Sequence, residues 1–133
     1  LQNWHDGRIK QAMIQRTLQA RAAHPALFRD GSYQTLDVQG VHADRVHAFA
    51  RILDGAMAVV IVPRLASGLL ADAQTPLIDA SAWGDTRVVL PSVRSEATLK
   101  GLFSDHAVTA EKELLVSTAL KEFPVNLFLQ SEL

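Results

Sequence analysis

From Asp6 to about Ala23 the chain has no proline, and its apolar residues recur at helical spacing. Asn3 or Asp6 can cap the start, and His24-Pro25 ends the segment, because a residue before proline is pushed out of the helical region. The apolar positions of this helix fall into two groups. Ile9, Ala12, Met13 and Ala20 share one side, whereas Ile14 and Leu18 lie round the other, with Gln11, Gln15 and Gln19 forming a polar strip. A helix lying on one sheet shows a single apolar stripe. Two groups fit either a helix held between two packing partners or a helix whose edge is merely rich in Ile and Leu. On the first reading Ile14 and Leu18, together with Trp4, face a second body outside the domain.

The period then changes. Leu27 and Phe28 form a short apolar plug before an Asp30-Gly31 turn. Tyr33 to Gln39 alternates as one half-buried strand, and Arg45 to Ile52 alternates again. Asp54-Gly55 separates this second strand from the nearly continuous apolar run Ala56 to Val62, a strong hairpin signal, because a tight primed turn needs positive φ. Met57 to Val62 reads as a central strand buried on both faces, Val60 and Val62 included, with Pro63 closing it. Arg64 to Thr86 reads as a long loop with a helical turn near Leu69 to Ala73.

Short strands follow over Arg87 to Leu90, Thr98 to Phe103, Ala107 to Ala110, Glu113 to Val116 and Val125 to Leu129. Ser117 is placed to cap one helical turn through Leu120. The expected fold is mainly β: one N-terminal helix, then about seven short strands in an antiparallel, β-sandwich-like arrangement. We divide the chain into a terminal helix, residues 1–25, and a β-domain, residues 26–133.

Composition narrows the function classes. At 133 residues the chain is one ordinary domain. Thirteen Lys and Arg against fourteen Asp and Glu leave a net charge of −1, which gives no footprint for nucleic acid or an anionic membrane. No apolar run approaches the ~18 residues of a membrane span. No basic region with an apolar core opens the chain, so no signal peptide is expected, and the absence of an initial Met suggests a processed chain or a piece of a longer one. Zero cysteines excludes disulfides, thiolate nucleophiles and cysteine metal sites here, and fits a cytoplasmic location.

Catalytic patterns are missing. His42 and His47 are five apart in an extended stretch, without a third ligand nearby, so no metal or other cofactor is expected. There is no Gly-x-Ser-x-Gly elbow and no Gly-rich phosphate loop. Glu111 and Glu113 could form a carboxylate pair, but beside Lys112 they read better as a solvated strand edge. Trp83, in Ala82-Trp83-Gly84-Asp85-Thr86, is either a stacking platform for a sugar ring or a plug anchoring the long loop.

Several motifs read in order carry a resemblance. They are Asp6-Gly7-Arg8-Ile9-Lys10, Arg21-Ala22-Ala23-His24-Pro25-Ala26-Leu27-Phe28, Gly31-Ser32-Tyr33, Ala48-Phe49-Ala50-Arg51, Val62-Pro63-Arg64-Leu65, Trp83-Gly84-Asp85-Thr86 and Leu120-Lys121-Glu122-Phe123-Pro124-Val125. The chain resembles the C-terminal end of the maltooligosyltrehalose synthases, within the α-amylase family of glycoside hydrolases. The stretch Glu96 to Gly101 departs from that family's pattern.

The resemblance implies a β-sandwich-like domain following a catalytic (β/α) barrel, with that barrel as partner in the same polypeptide. It also implies a parent reaction: intramolecular transglycosylation that turns the reducing-end α-1,4 bond of a maltooligosaccharide into an α,α-1,1 bond. The family's catalytic carboxylates lie on the barrel, and none of their motifs occurs here, so no catalytic residue is assigned to this chain. Two other functions remain open: a carbohydrate-binding module presenting Trp83, and the equivalent domain of a hydrolytic α-amylase relative.

Overall fold

The computed structural model describes residues 7–70, 77–91, 97–105, 107–110 and 112–130. Helix α1 spans Arg8–Ala23. Its N-cap is Gly7, in the left-handed region at φ 83°, with no side-chain cap; Asn3 and Asp6 lie outside the described residues. The helix stops before His24-Pro25 as expected. Pro25 then opens a second short helix, α2, Pro25–Asp30, where the sequence suggests only a plug. Proline suits the first turn of a helix, since its missing N–H has no intrahelical partner there. Leu27 of α2 is buried as the plug reading requires.

The expected strand over Tyr33 to Gln39 is two strands. β1, Ser32–Thr35, pairs with β3, Val46–Leu53, whereas β2, Val38–Gln39, pairs with β5, Arg87–Val89. Leu36 and Asp37 carry the chain from one sheet to the other. Leu36 is buried and its N–H donates to the Ala48 carbonyl at 2.9 Å, while the Asp37 carbonyl accepts from Val89 N–H at 2.8 Å. The backbone is therefore satisfied on both sides of the switch.

The hairpin forms as its turn residues dictate. β3 pairs with β4, Ala56–Pro63, from Val46↔Pro63 to Leu53↔Ala56, leaving Asp54 and Gly55 as a two-residue loop. Both have positive φ, 49° and 89°, the requirement of a type I′ turn. A Cβ at Gly55 would meet nothing within 4 Å, so Gly55→Ala bears backbone strain alone. We expect a loss of about 1 kcal/mol, read by denaturant unfolding with an unchanged m-value.

Six more strands or helical turns complete the fold. α3 is Ala80–Trp83; β6, β7 and β8 are Ala97–Gly101, Ala107–Ala110 and Glu113–Leu115; α4 is Val116–Ala119; β9 is Asn126–Gln130. The helical turn in the long loop is a 3-10 turn at Ser67–Leu69, ahead of the expected position, much of which lies outside the described residues. Ser117 is not the cap of α4: Leu115 occupies that place, and Ser117 sits inside the helix.

Nine strands among the described residues form two antiparallel sheets, ordered β1-β3-β4-β9-β6-β7 and β2-β5-β8. Their facing sides enclose the main core. Met57, Val59, Ile61, Leu99 and Phe128 come from the large sheet, and Val88 and Leu114 from the small one, with Trp83, Val116 and Leu120 filling the ends. The other face of the large sheet is thinly covered. Ala58 and Leu127 are buried there under Leu27, but Val60 and Val62 are only half-buried, against the expectation of a strand enclosed on both sides. The apolar run does form a central strand; what is missing is cover, since α1 does not close over it.

Candidate functional site

The titratable residues singled out in the sequence do not assemble. Glu113 pairs with Arg87, Oε2 to Nε at 3.3 Å, on the rim of the small sheet; Glu111 lies outside the described residues. His47 is exposed beside Phe49, ring centres 6.0 Å apart, and His42 uses its backbone N–H elsewhere. Among the described residues no three His, Asp or Glu side chains are grouped to hold a metal ion. The guanidinium of Arg29 is held above its ordinary range by hydrogen bonds to Asp30, on an exposed surface.

The Trp-Gly-Asp-Thr stretch is a latch between the two loops that join at residues 40–42 and 83–86. Trp83 is 1% exposed, which is the plug geometry; neither ring face is open to a sugar. Thr86 is fully buried, and its Oγ1 donates to the Trp83 carbonyl at 2.6 Å while accepting from His42 N–H at 3.1 Å. Asp85 Oδ1 accepts from Val41 N–H at 2.9 Å, and the Thr86 carbonyl accepts from Val116 N–H at 3.0 Å. The four residue types suit the four places: a large apolar filler, a turn glycine at φ 56°, an acceptor, and a hydroxyl that both donates and accepts. The motif stands out in the sequence, but its partners Val41 and His42 do not, because they lie more than forty residues away along the chain.

A second polar device has no counterpart among the sequence expectations. Asn126, buried at the start of β9, donates from Nδ2 to Ser104 Oγ at 3.0 Å and to the Ala119 carbonyl at 3.2 Å. Its Oδ1 accepts from Phe103 N–H at 3.3 Å and Leu127 N–H at 3.0 Å. A lone Asn ahead of an apolar run carries no sequence signal for this role.

What remains open on the molecule is apolar. Between α1 and the outer face of the large sheet runs a groove of about 580 Å³, lined by Met13, Leu18, Phe28, Phe49, Val60 and Phe103 among others. Ile14 and Leu18 stand on its helical wall, 46% and 57% exposed, whereas of the other group Ile9 and Met13 are half-buried, Ala20 is buried and Ala12 is exposed. Arg16, exposed on α1, donates to the Leu102 carbonyl at 3.2 Å and ties the helix to the loop that follows β6. Trp4, expected to share the exposed region, lies outside the described residues. A contiguous exposed apolar surface of this kind marks an interaction site. Replacing Ile14 and Leu18 by Gln is expected to change unfolding free energy by no more than ~0.5 kcal/mol per site, because both are exposed and Gln is a good helix former; thermal melts of the double variant check this.

No protein-family model and no curated protein matches the sequence. Solved structures do. The chain is similar to maltooligosyltrehalose synthase from Arthrobacter ramosus at 27% identity and a TM-score of 0.66, covering 92% of this chain but 14% of that one. A point mutant of that enzyme aligns at 27% identity and a TM-score of 0.62, over 87% of this chain and 13% of the other. This chain thus corresponds to a domain-sized portion of those structures, in agreement with the resemblance drawn from its motifs.

Proposed function

We propose that this chain is the non-catalytic C-terminal domain of an enzyme like maltooligosyltrehalose synthase. That enzyme would convert the reducing-end α-1,4 bond of a maltooligosaccharide to an α,α-1,1 bond by intramolecular transglycosylation, as an isomerase of trehalose biosynthesis in the cytoplasm. The carrying observation is the 27% identity over 92% of this chain to a part of such an enzyme. The domain's contribution is mechanical. Its latched core holds a rigid sandwich, and α1, within the terminal region 1–25, presents Ile14 and Leu18 to the barrel. Burying that face would both stabilise the barrel and cover a surface otherwise left open to water.

Simple assays separate this function from that of a hydrolytic relative and from that of a binding module. The 133-residue chain is expected to produce no trehalosyl product from maltopentaose, since among its described residues no carboxylate lines the groove. It is also expected to show no sugar-dependent change in the fluorescence of Trp83, read in a Trp4→Phe variant titrated with maltoheptaose, because Trp83 is enclosed. The longer polypeptide should make the non-reducing trehalosyl product. Release of glucose or maltose instead would assign a hydrolase, and conversion by the 133-residue chain alone would overturn the non-catalytic role.

A further inference from the structure

Helix α1, RIKQAMIQRTLQARAA, carries Arg8, Lys10, Arg16 and Arg21 and no acidic residue, within a chain of net charge −1. The groove beside it is lined by two guanidinium side chains, Arg21 and Arg51, and by no carboxylate. Arg51 is tied by Nη2 to the Gly31 carbonyl at 2.9 Å, but its Nε is buried without a hydrogen-bond partner. The surface is therefore an apolar trough with a cationic rim.

Its charge selects among the bodies that could cover it. A second copy meeting this face symmetrically would set the same patch against itself. Two copies of the rim, each carrying Arg21 and Arg51 and no carboxylate, would then oppose one another, and like charges juxtaposed across an interface cost affinity. A surface with apolar side chains for the trough and carboxylates for its rim has no such penalty. Arg is well suited to carboxylates, which it can grip with two parallel hydrogen bonds.

Resting on the reading of this chain as one part of a larger enzyme, we infer that the trough is filled by a segment of the preceding polypeptide that pairs apolar side chains with Asp or Glu, and that Arg51 and Arg21 bind those carboxylates. Arg51, anchored from the sheet, fixes the register, and Arg21, on the last turn of α1, closes the rim.

Hydrogen exchange on the longer polypeptide tests this. The probes are the amides of residues 10–22 and 46–62, with residues 97–101 of β6 as an internal reference. Arg21→Gln or Arg51→Met is expected to speed exchange at the probes about tenfold and leave the reference unchanged. Raising NaCl from about 0.05 M to about 0.5 M should do the same in the wild type. Arg21 is exposed on α1, so its replacement leaves the fold intact even where that of Arg51 does not. Probes that stay protected in both variants and in salt would mean a wholly apolar cover, overturning the carboxylate pairing while leaving the parent enzyme standing. Probes unprotected in the longer polypeptide would overturn the covered trough altogether. Protection of the 133-residue chain that grows with its concentration would show a second copy as the occupant. The identity of the parent enzyme is read independently, from its sugar product.

Discussion

Trp83→Ala is expected to destabilise the domain by about 3–5 kcal/mol, a large part of the ~5–15 kcal/mol that a domain of this size commands. Trp83 stands first among the fully buried side chains by volume, at the end of the core between the two sheets. Its removal deletes apolar contact and leaves a cavity that the latch cannot collapse to fill, since Thr86 is held to His42 and to the Trp83 carbonyl. Trp83→Phe is expected to cost much less than Trp83→Ala. The indole Nε1–H is buried without a partner, so its loss removes a desolvated donor as well as volume. Chemical unfolding of the two variants separates these terms. Equal losses would mean that the nitrogen is bonded in solution and that the plug is held by polarity as well as by packing.

Gly40→Ala is expected to cost about 2–5 kcal/mol, combining left-handed strain with overpacking. Gly40 has φ 111°, and a Cβ there would stand 2.7 Å from both the Asp85 carbonyl oxygen and the Thr86 Cα. Those are backbone atoms, which cannot swing aside, and they belong to the segment whose side chains accept from Val41 and His42. The strain therefore falls on the latch. The same substitution at an ordinary loop position would be neutral or stabilising, because alanine narrows the unfolded ensemble. A melting temperature for Gly40→Ala at or above that of Gly55→Ala would show that the two loops separate in solution and that the latch is not closed.

The parts of the fold that can be read from the chain are those whose signal is local. The Asp54-Gly55 hairpin, the apolar run from Met57 and the stop at His24-Pro25 each rest on residues a few positions apart. What cannot be read depends on pairing. Tyr33 to Gln39 alternates as one strand, and nothing within it reveals that Leu36 and Asp37 change sheets, since the partners that decide this are Ala48 and Val89. Val60 and Val62 look as enclosed as Ile61, and only the placement of α1 shows that they are not. The two groups of apolar residues on α1 are legible, as is the prominence of Trp83. The groove is not, because Phe28, Phe49, Arg51 and Phe103 come together from separate elements.

The place of β9 in the large sheet sets an order of events during synthesis. β9 lies between β4 and β6, bonded to both, so the β6–β7 hairpin joins β1, β3 and β4 only through it. A nascent chain still lacking residues 126–130 can close the Asp54-Gly55 hairpin but has no six-stranded sheet to complete. Until then β4 offers an unpaired edge rich in Val and Ile, a template for neighbouring chains. Assembly must wait for the last described strand to emerge from the ribosome, and a protease or early stop codon that removes it would leave two unjoined pieces of sheet rather than a shortened domain.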